Sequence, residues 1–235
     1  MRHNKVATVV FTALALGLAL PVQPAAAAEG AQPQYSRMAP IAEYMIADRD
    51  AEIALARSAA PASIADGATV MVLGRRGYTT AVQGKNGFLC YVERSWANTA
   101  DAPDFWNPKE RAPNCFNAAA AKSVAQIYLM KTRLLLAGKS KAEIARTTAA
   151  ALDSGELPPL APGAMCYMTS KQQYLNDQAH SWRPHLMFYV AGDVAPSWGA
   201  NLPGSPMIAV INPELRVTIF MVVMRRWSDG TLAPE

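Results

Sequence analysis

The chain has 235 residues, with 22 basic and 18 acidic side chains and a formal net charge of +4. The basic residues cluster only as the pairs Arg75-Arg76 and Arg225-Arg226, not as the stripe that nucleic-acid binding needs. Beyond the N-terminus the most apolar stretch is Val217 to Met224, a strand length, so no membrane span is expected there.

Residues 1–28 read as a signal peptide. Arg2, His3 and Lys5 precede an uncharged apolar run from Val6 to Leu20; Pro21 and Pro24 break it, and Ala26, Ala27 and Ala28 precede Glu29. This is the order of a basic start, an apolar core and a small-residue cleavage site. The core is shorter than the roughly 20 residues of a spanning helix, so cleavage and a periplasmic or secreted destination are expected. Cleavage removes Arg2 and Lys5 and leaves 20 basic against 18 acidic side chains, a net charge of +2. Residues 29–39 read as a flexible leader, and 40–235 as a single α+β domain, long enough to bury roughly 70% of its unfolded surface.

Cys90, Cys115 and Cys166 are the three cysteines, and an oxidising compartment permits one disulfide. Cys90–Cys115 is the preferred pair, because it ties down the long loop between a strand and a helix, worth about 3 kcal/mol. Cys166 is then a buried thiol. No C-x-x-C, G-x-G-x-x-G or Walker pattern occurs, and no cofactor is expected.

In chain order, Pro40 opens a helix over Ile41 to Ala59 that Pro61 ends. Its acids Asp48, Asp50 and Glu52 read as a solvated face. Strands over 68–73, 78–83 and 88–94 are separated by short glycine-bounded turns, the pattern of a β-meander. On the third, Phe88, Cys90 and Val92 share one face, and Leu89, Tyr91 and Glu93 the other. Ser95 to Phe116 has no period. It carries Trp96, Phe105 and Trp106, which either pin it to the core or mark a functional loop. A helix over Asn117 to Ala137 stops at Gly138, and the capping box Ser140-Lys-Ala-Glu143 opens a second through about Asp153. After a proline-rich connector come a short strand over 164–169, a polar loop, a strand over 185–190, and a hairpin of 207–211 with 215–225. The last strand is apolar on both faces and reads as central. The expected fold is an antiparallel or mixed sheet of about six to seven strands, with an αα-hairpin packed on one face.

Candidate chemistry concentrates in the C-terminal third. On the strand 185–190, Leu186, Phe188 and Val190 form an apolar core face, opposite His185, Met187 and Tyr189. His185 can act as a general base, with Asn201, Ser205 and loop amides stabilising an oxyanion, in a small hydrolase. Cys166 with His180 or His185 is a second nucleophile option. Cys166, His180 and His185, with Met165, Met168 and Met187, are ligand types suited to copper. Paired carboxylates are not identifiable, since Asp177 and Asp193 have no evident partner. Trp96, Trp106, Trp182 and Trp198 fall in loops, and tryptophan favours binding hot spots. The leading expectation is an exported accessory protein that binds a small molecule or a protein without catalysis, through Tyr189, Trp198, Asn201 and Ser205.

Overall fold

A computed structural model describes residues 35–205 and 207–234. The expected signal peptide lies outside the described residues, as does the leader up to 34. The remainder of the leader is tied to the domain: Tyr35 donates to Asp177, and Met38 and Ala39 pack against Tyr44 and Trp96.

The described residues form a mixed α+β fold around one eight-stranded sheet. Its strands are β1 (Thr69–Gly74), β2 (Gly77–Val82), β3 (Leu89–Glu93), β4 (Ala112–Phe116), β5 (Met165–Met168), β6 (His185–Ala191), β7 (Ile208–Asn212) and β8 (Val217–Val223). The order is β2-β1-β3-β4-β5-β6-β8-β7, and every pairing is antiparallel except β1 with β3. The helices are α1 (Ile41–Tyr44), α2 (Arg49–Arg57), α3 (Ala62–Ala65), α4 (Ala118–Lys122), α5 (Val124–Leu136) and α6 (Lys141–Ser154).

The β-meander is a correction. β1 and β2 form the expected hairpin, but β3 lies on the other side of β1 and parallel to it. Burial explains the choice. All five residues of β3 are buried, whereas Thr79 and Thr80 of β2 are exposed; a strand covered on both faces belongs inside and a half-polar one at the edge. The connection crosses the end of β1, where Gly84 N donates to Thr69 Oγ1 at 3.0 Å. A Cβ on Gly84 would lie 2.1 Å from Thr69 N, so only glycine fits this crossing.

β4 is the strand beyond the expected six to seven, and it occupies the end of the presumed loop. Pro113 hides it in the sequence, since proline cannot donate to a ladder. Here Pro113 stands opposite Val92, whose carbonyl instead accepts from Tyr78 Oη and Arg94. β5 pairs with β4 only at Cys115 and Phe116, so neither neighbour needs an N–H from Pro113. The same register sets Cys90 directly opposite Cys115, Cα atoms 4.1 Å apart, with the sulfurs at disulfide distance. The bridge joins adjacent strands at the base of the loop rather than pinning its far end to a helix.

Two expected helices are divided. The 41–59 stretch breaks before Asp48, whose carboxylate caps α2 by accepting from Asp50 N and Ala51 N at 2.9 and 3.3 Å. The 117–137 stretch breaks at Ser123, whose Oγ donates back to Ala119 O at 2.8 Å. α6 opens with the capping box and ends at Gly155 in the left-handed region. α5 lies deep in the core, while α6 buries only Ile144, Thr148 and Ala151. The layer expected of an αα-hairpin is carried mainly by α5.

The register sorts the sheet into two faces. Leu89, Tyr91, Phe116, Cys166, Tyr189 and Ile219 pack against α4 and α5. On the other side α2 covers Val70, Cys90, Val92 and Cys115, and the excursion between β6 and β7 covers Val190, Ala209 and Phe220. β8 is central as expected, between β6 and β7, but it is covered on both faces only as far as Phe220 and is exposed at Val222 and Val223, a correction to the expected coverage along its whole length.

Two stability effects follow. Replacing Cys90 and Cys115 together by alanine is expected to cost about 3 to 4 kcal/mol, measured by urea unfolding; an unchanged midpoint would show that the bridge contributes nothing. Glu52 pairs with Arg94 at 2.8 Å, and both are buried, so Glu52→Ala should cost about 3 to 5 kcal/mol by stranding the guanidinium. A loss below 1 kcal/mol, on the order of a surface pair, contradicts that placement.

Candidate functional site

His185 starts β6 and is 3% exposed. Its Nδ1 lies 2.8 Å from Arg183 O and its ring packs edge-on to Trp182; burial pushes its pKa down. Asn201 and Ser205 belong to the excursion on the opposite face of the sheet. Asn201 Nδ2 donates to Ala209 O at 2.7 Å and its Oδ1 accepts from Ala209 N at 3.0 Å, while Ser205 Oγ accepts from Met207 N. The structure therefore does not bring His185 together with Asn201 and Ser205. Trp198, 53% exposed, stacks on Phe220 on that same opposite face. Tyr189 shares the face of His185 but is buried, its Oη 3.3 Å from Cys166 Sγ.

The face assignment of β6 is reversed from expectation. His185 and Tyr189 are buried, while Phe188 is exposed and Leu186 and Val190 are half-buried. Both alternating sets of this strand are largely apolar, and α5 settles the choice by packing on the side of Tyr189.

Cys166 is buried, donates to Asn114 Oδ1 at 3.5 Å, and has its thiol pKa pushed up by burial. His180 is exposed and packs edge-on to Tyr174. Neither histidine ring hydrogen-bonds to Cys166, and among the described residues no group of three or more His, Cys, Asp and Glu side chains could hold a metal ion. The tryptophans do not converge: Trp96 is in the core, Trp106 packs at its edge, Trp182 meets His185 and Trp198 meets Phe220.

What the fold does build is a cavity of about 430 Å³ on the α5 side of the sheet. Its floor includes Glu93, Asn114, Met168, Met187, Ile219 and Met221; its walls are Tyr128 of α5 and the loop 94–111, including Asn98, Asp104 and Glu110. Two wider depressions, of about 900 and 680 Å³, hold no buried ionisable side chain among their lining residues.

The loop is held in place at several points. Trp96 Nε1 donates to Thr132 Oγ1 of α5 at 2.9 Å. Lys131 Nζ donates to Asn98 O at 2.8 Å and pairs with Glu214 at 3.0 Å; Glu214 also accepts from Ala100 N at 2.6 Å. Arg111 and Tyr174 exchange backbone bonds of 2.7 and 2.9 Å. The aromatics thus pin the loop to the core, and the pinned loop forms the cavity wall.

Two acids dominate the cavity. Glu93, 9% exposed, accepts from Asn114 Nδ2 at 2.9 Å and Tyr91 Oη at 3.4 Å. Glu110, 5% exposed, accepts from Asn98 Nδ2 at 3.1 Å through Oε2. No hydrogen bond reaches its Oε1 among the described residues. Burial lifts Glu93 to about 8, and burial together with the charge of Glu93 lifts Glu110 to about 8. The nearby cations are engaged elsewhere: Lys131 with Glu214, and Arg111 with the carbonyls of Pro108, Glu110 and Glu43. At neutral pH both carboxyls are mainly protonated. They can donate or accept hydrogen bonds, and they ionise when positive charge approaches.

One signal in the sequence pointed to Glu93: it shares a face with Leu89 and Tyr91 in a strand otherwise apolar on both sides. Nothing local marked Glu110. Protein-family models, curated proteins and solved structures were all compared with the chain, and none matches it.

Both carboxyls have folded-state pKa values above those of the unfolded chain. From about pH 4.5 to about 8 the unfolded chain releases protons that the folded protein retains, so stability falls as pH rises through this window. Urea midpoints at pH 5, 6.5 and 8 are expected to fall more steeply for the wild type than for Glu93→Gln/Glu110→Gln. Equal slopes would contradict the environments described for these acids.

Proposed function

We propose that the chain is an exported protein, periplasmic or secreted, that binds a small molecule in the cavity between the loop 94–111 and the sheet, without catalysing a reaction. The observation that carries this reading is the pair of buried carboxyls lining the cavity, each with only neutral hydrogen-bond donors among the described residues. Such groups destabilise the folded state at neutral pH, and a pocket with a few convergent polar groups on a largely apolar lining is the usual form of a ligand site. The volume, about 430 Å³, falls in the range of such sites. Export is supported by the N-terminal sequence pattern and by the Cys90–Cys115 pair. No helix among the described residues is long and apolar enough to cross a membrane.

The hydrolase reading has less support, because His185 and Ser205 lie on opposite faces of the sheet and no histidine ring is hydrogen-bonded to a serine or cysteine among the described residues. Copper handling through Cys166, His180 and His185 has less still: the thiol is buried and bonded to Tyr189 and Asn114, and His180 is out in the loop.

Native mass spectrometry of the protein purified from its own source tests the proposal. The expected result is a bound small molecule. It should be lost in Val210→Trp, which fills the cavity mouth from a side chain that is 50% exposed and so leaves the core intact. An unliganded wild type, or an adduct retained by the variant, overturns the reading.

A further inference from the structure

Taking this cavity as the ligand site, we propose that its ligand bears an organic cation, an ammonium or guanidinium group held between Glu93 and Glu110, with an aliphatic body lying on Met168, Met187 and Met221. The inference therefore rests on the small-molecule reading and adds the chemical class.

The charge pattern points to it. Glu93 and Glu110 face the cavity and Asp104 lies at its rim. Every cation near them has other partners, Lys131 in Glu214 and Arg111 in three backbone carbonyls. Elsewhere the same core supplies its buried acid with a guanidinium: Glu52 meets Arg94 at 2.8 Å. At the cavity no such partner is built in among the described residues. Glu110 is only 5% exposed, and its Oε1 meets no donor among the described residues. An N–H donor from a ligand would fill that position.

The donor set selects among cations. Three carboxyls line the cavity, those of Glu93, Asp104 and Glu110, with asparagine amides and thioethers and no histidine, but they do not converge into a group that could hold a metal ion among the described residues. The three methionines instead offer a polarizable surface that adapts to an alkyl chain. A bound cation reverses the balance at the acids, since opposite charge at close range favours the ionised form. Binding therefore expels protons, up to one from each carboxyl, to buffer. The ligand keeps its own proton, because an alkylammonium titrates near 10.4 as lysine does. Affinity must then rise as pH approaches and passes about 8.

Calorimetric titration of the purified protein with hexylammonium and with agmatine, against 1-hexanol as the uncharged control, tests this. At least one cation is expected to bind about tenfold or more tightly than the alcohol, and more tightly at pH 8.5 than at pH 6. Its heat should differ between Tris and phosphate by the enthalpy of the released protons. Glu93→Gln/Glu110→Gln should lose about tenfold or more of that affinity. The variant's independently measured urea midpoint separates lost binding from lost folding. If 1-hexanol binds as tightly as the cations, or if no proton is released, the cationic class is wrong while the small-molecule reading stands. If no probe binds and the native mass carries no ligand, both fail together.

Discussion

The position of the cavity wall depends on Arg94. This side chain is buried at the point where the chain leaves β3 for the loop, and all of its bonds run inward. Nε donates to Tyr44 O at the end of α1 and a terminal nitrogen to Glu52 of α2, at 2.7 and 2.8 Å; Glu52 Oε1 also accepts from Leu73 N in β1. One ion pair thus joins two helices and two strands. Buried ions cost several kcal/mol each in lost hydration, and a missing partner leaves that cost uncompensated. The chain accordingly leaves the sheet from a fixed point. Ser95 Oγ donates to Phe105 O at 2.9 Å and Trp96 sinks against α5 directly afterwards, so the loop begins at a fixed point, in a short 3-10 turn over Ser95–Ala97.

The same place shows how pleating divides charge. Glu93 and Arg94 are sequence neighbours, and in an extended chain neighbours point to opposite faces. Arg94 turns to the α2 side and neutralises Glu52, while Glu93 turns to the α5 side and meets only a phenol and an amide. The sheet itself therefore keeps the arginine from quenching the glutamate beside it. Asn114 holds Glu93 from the next strand, and Cys166 and Tyr189 continue the polar chain behind it. The buried thiol orients an amide; its geometry does not present a nucleophile to solvent.

Much of the fold was legible where the signal was local. The capping box at Ser140, the hairpin through Asn212-Pro213-Glu214 and the disulfide pair each stand as read. What failed was non-local. Pro113 argued against a strand that the surrounding register tolerates. The order of β2 and β3 depended on how much of each strand is covered. The face of β6 was ambiguous because both alternations are apolar, and only the position of α5 decides it. The cavity failed for the same reason. Glu93 and Glu110 lie at the two ends of a loop, and they line one cavity only because β3 and β4 pair and the aromatics fold that loop back over the sheet. Histidines and tryptophans are conspicuous by type, whereas these acids are marked only by where the fold puts them.

Asn201 bears on how the molecule meets others of its kind. β7 ends the sheet, and an open strand edge recruits extended chains. Asn201 satisfies both backbone groups of Ala209 with its own amide and donates its N–H to Met207 O, so it stands in for a ninth strand along that part of the rim. Val210 and Ile211 are exposed beside it and would otherwise make an adhesive combination of apolar side chains and unpaired backbone. An incoming strand would first have to break three existing bonds at this end. The bonds of one asparagine thus set a barrier to strand addition along this part of the apolar edge.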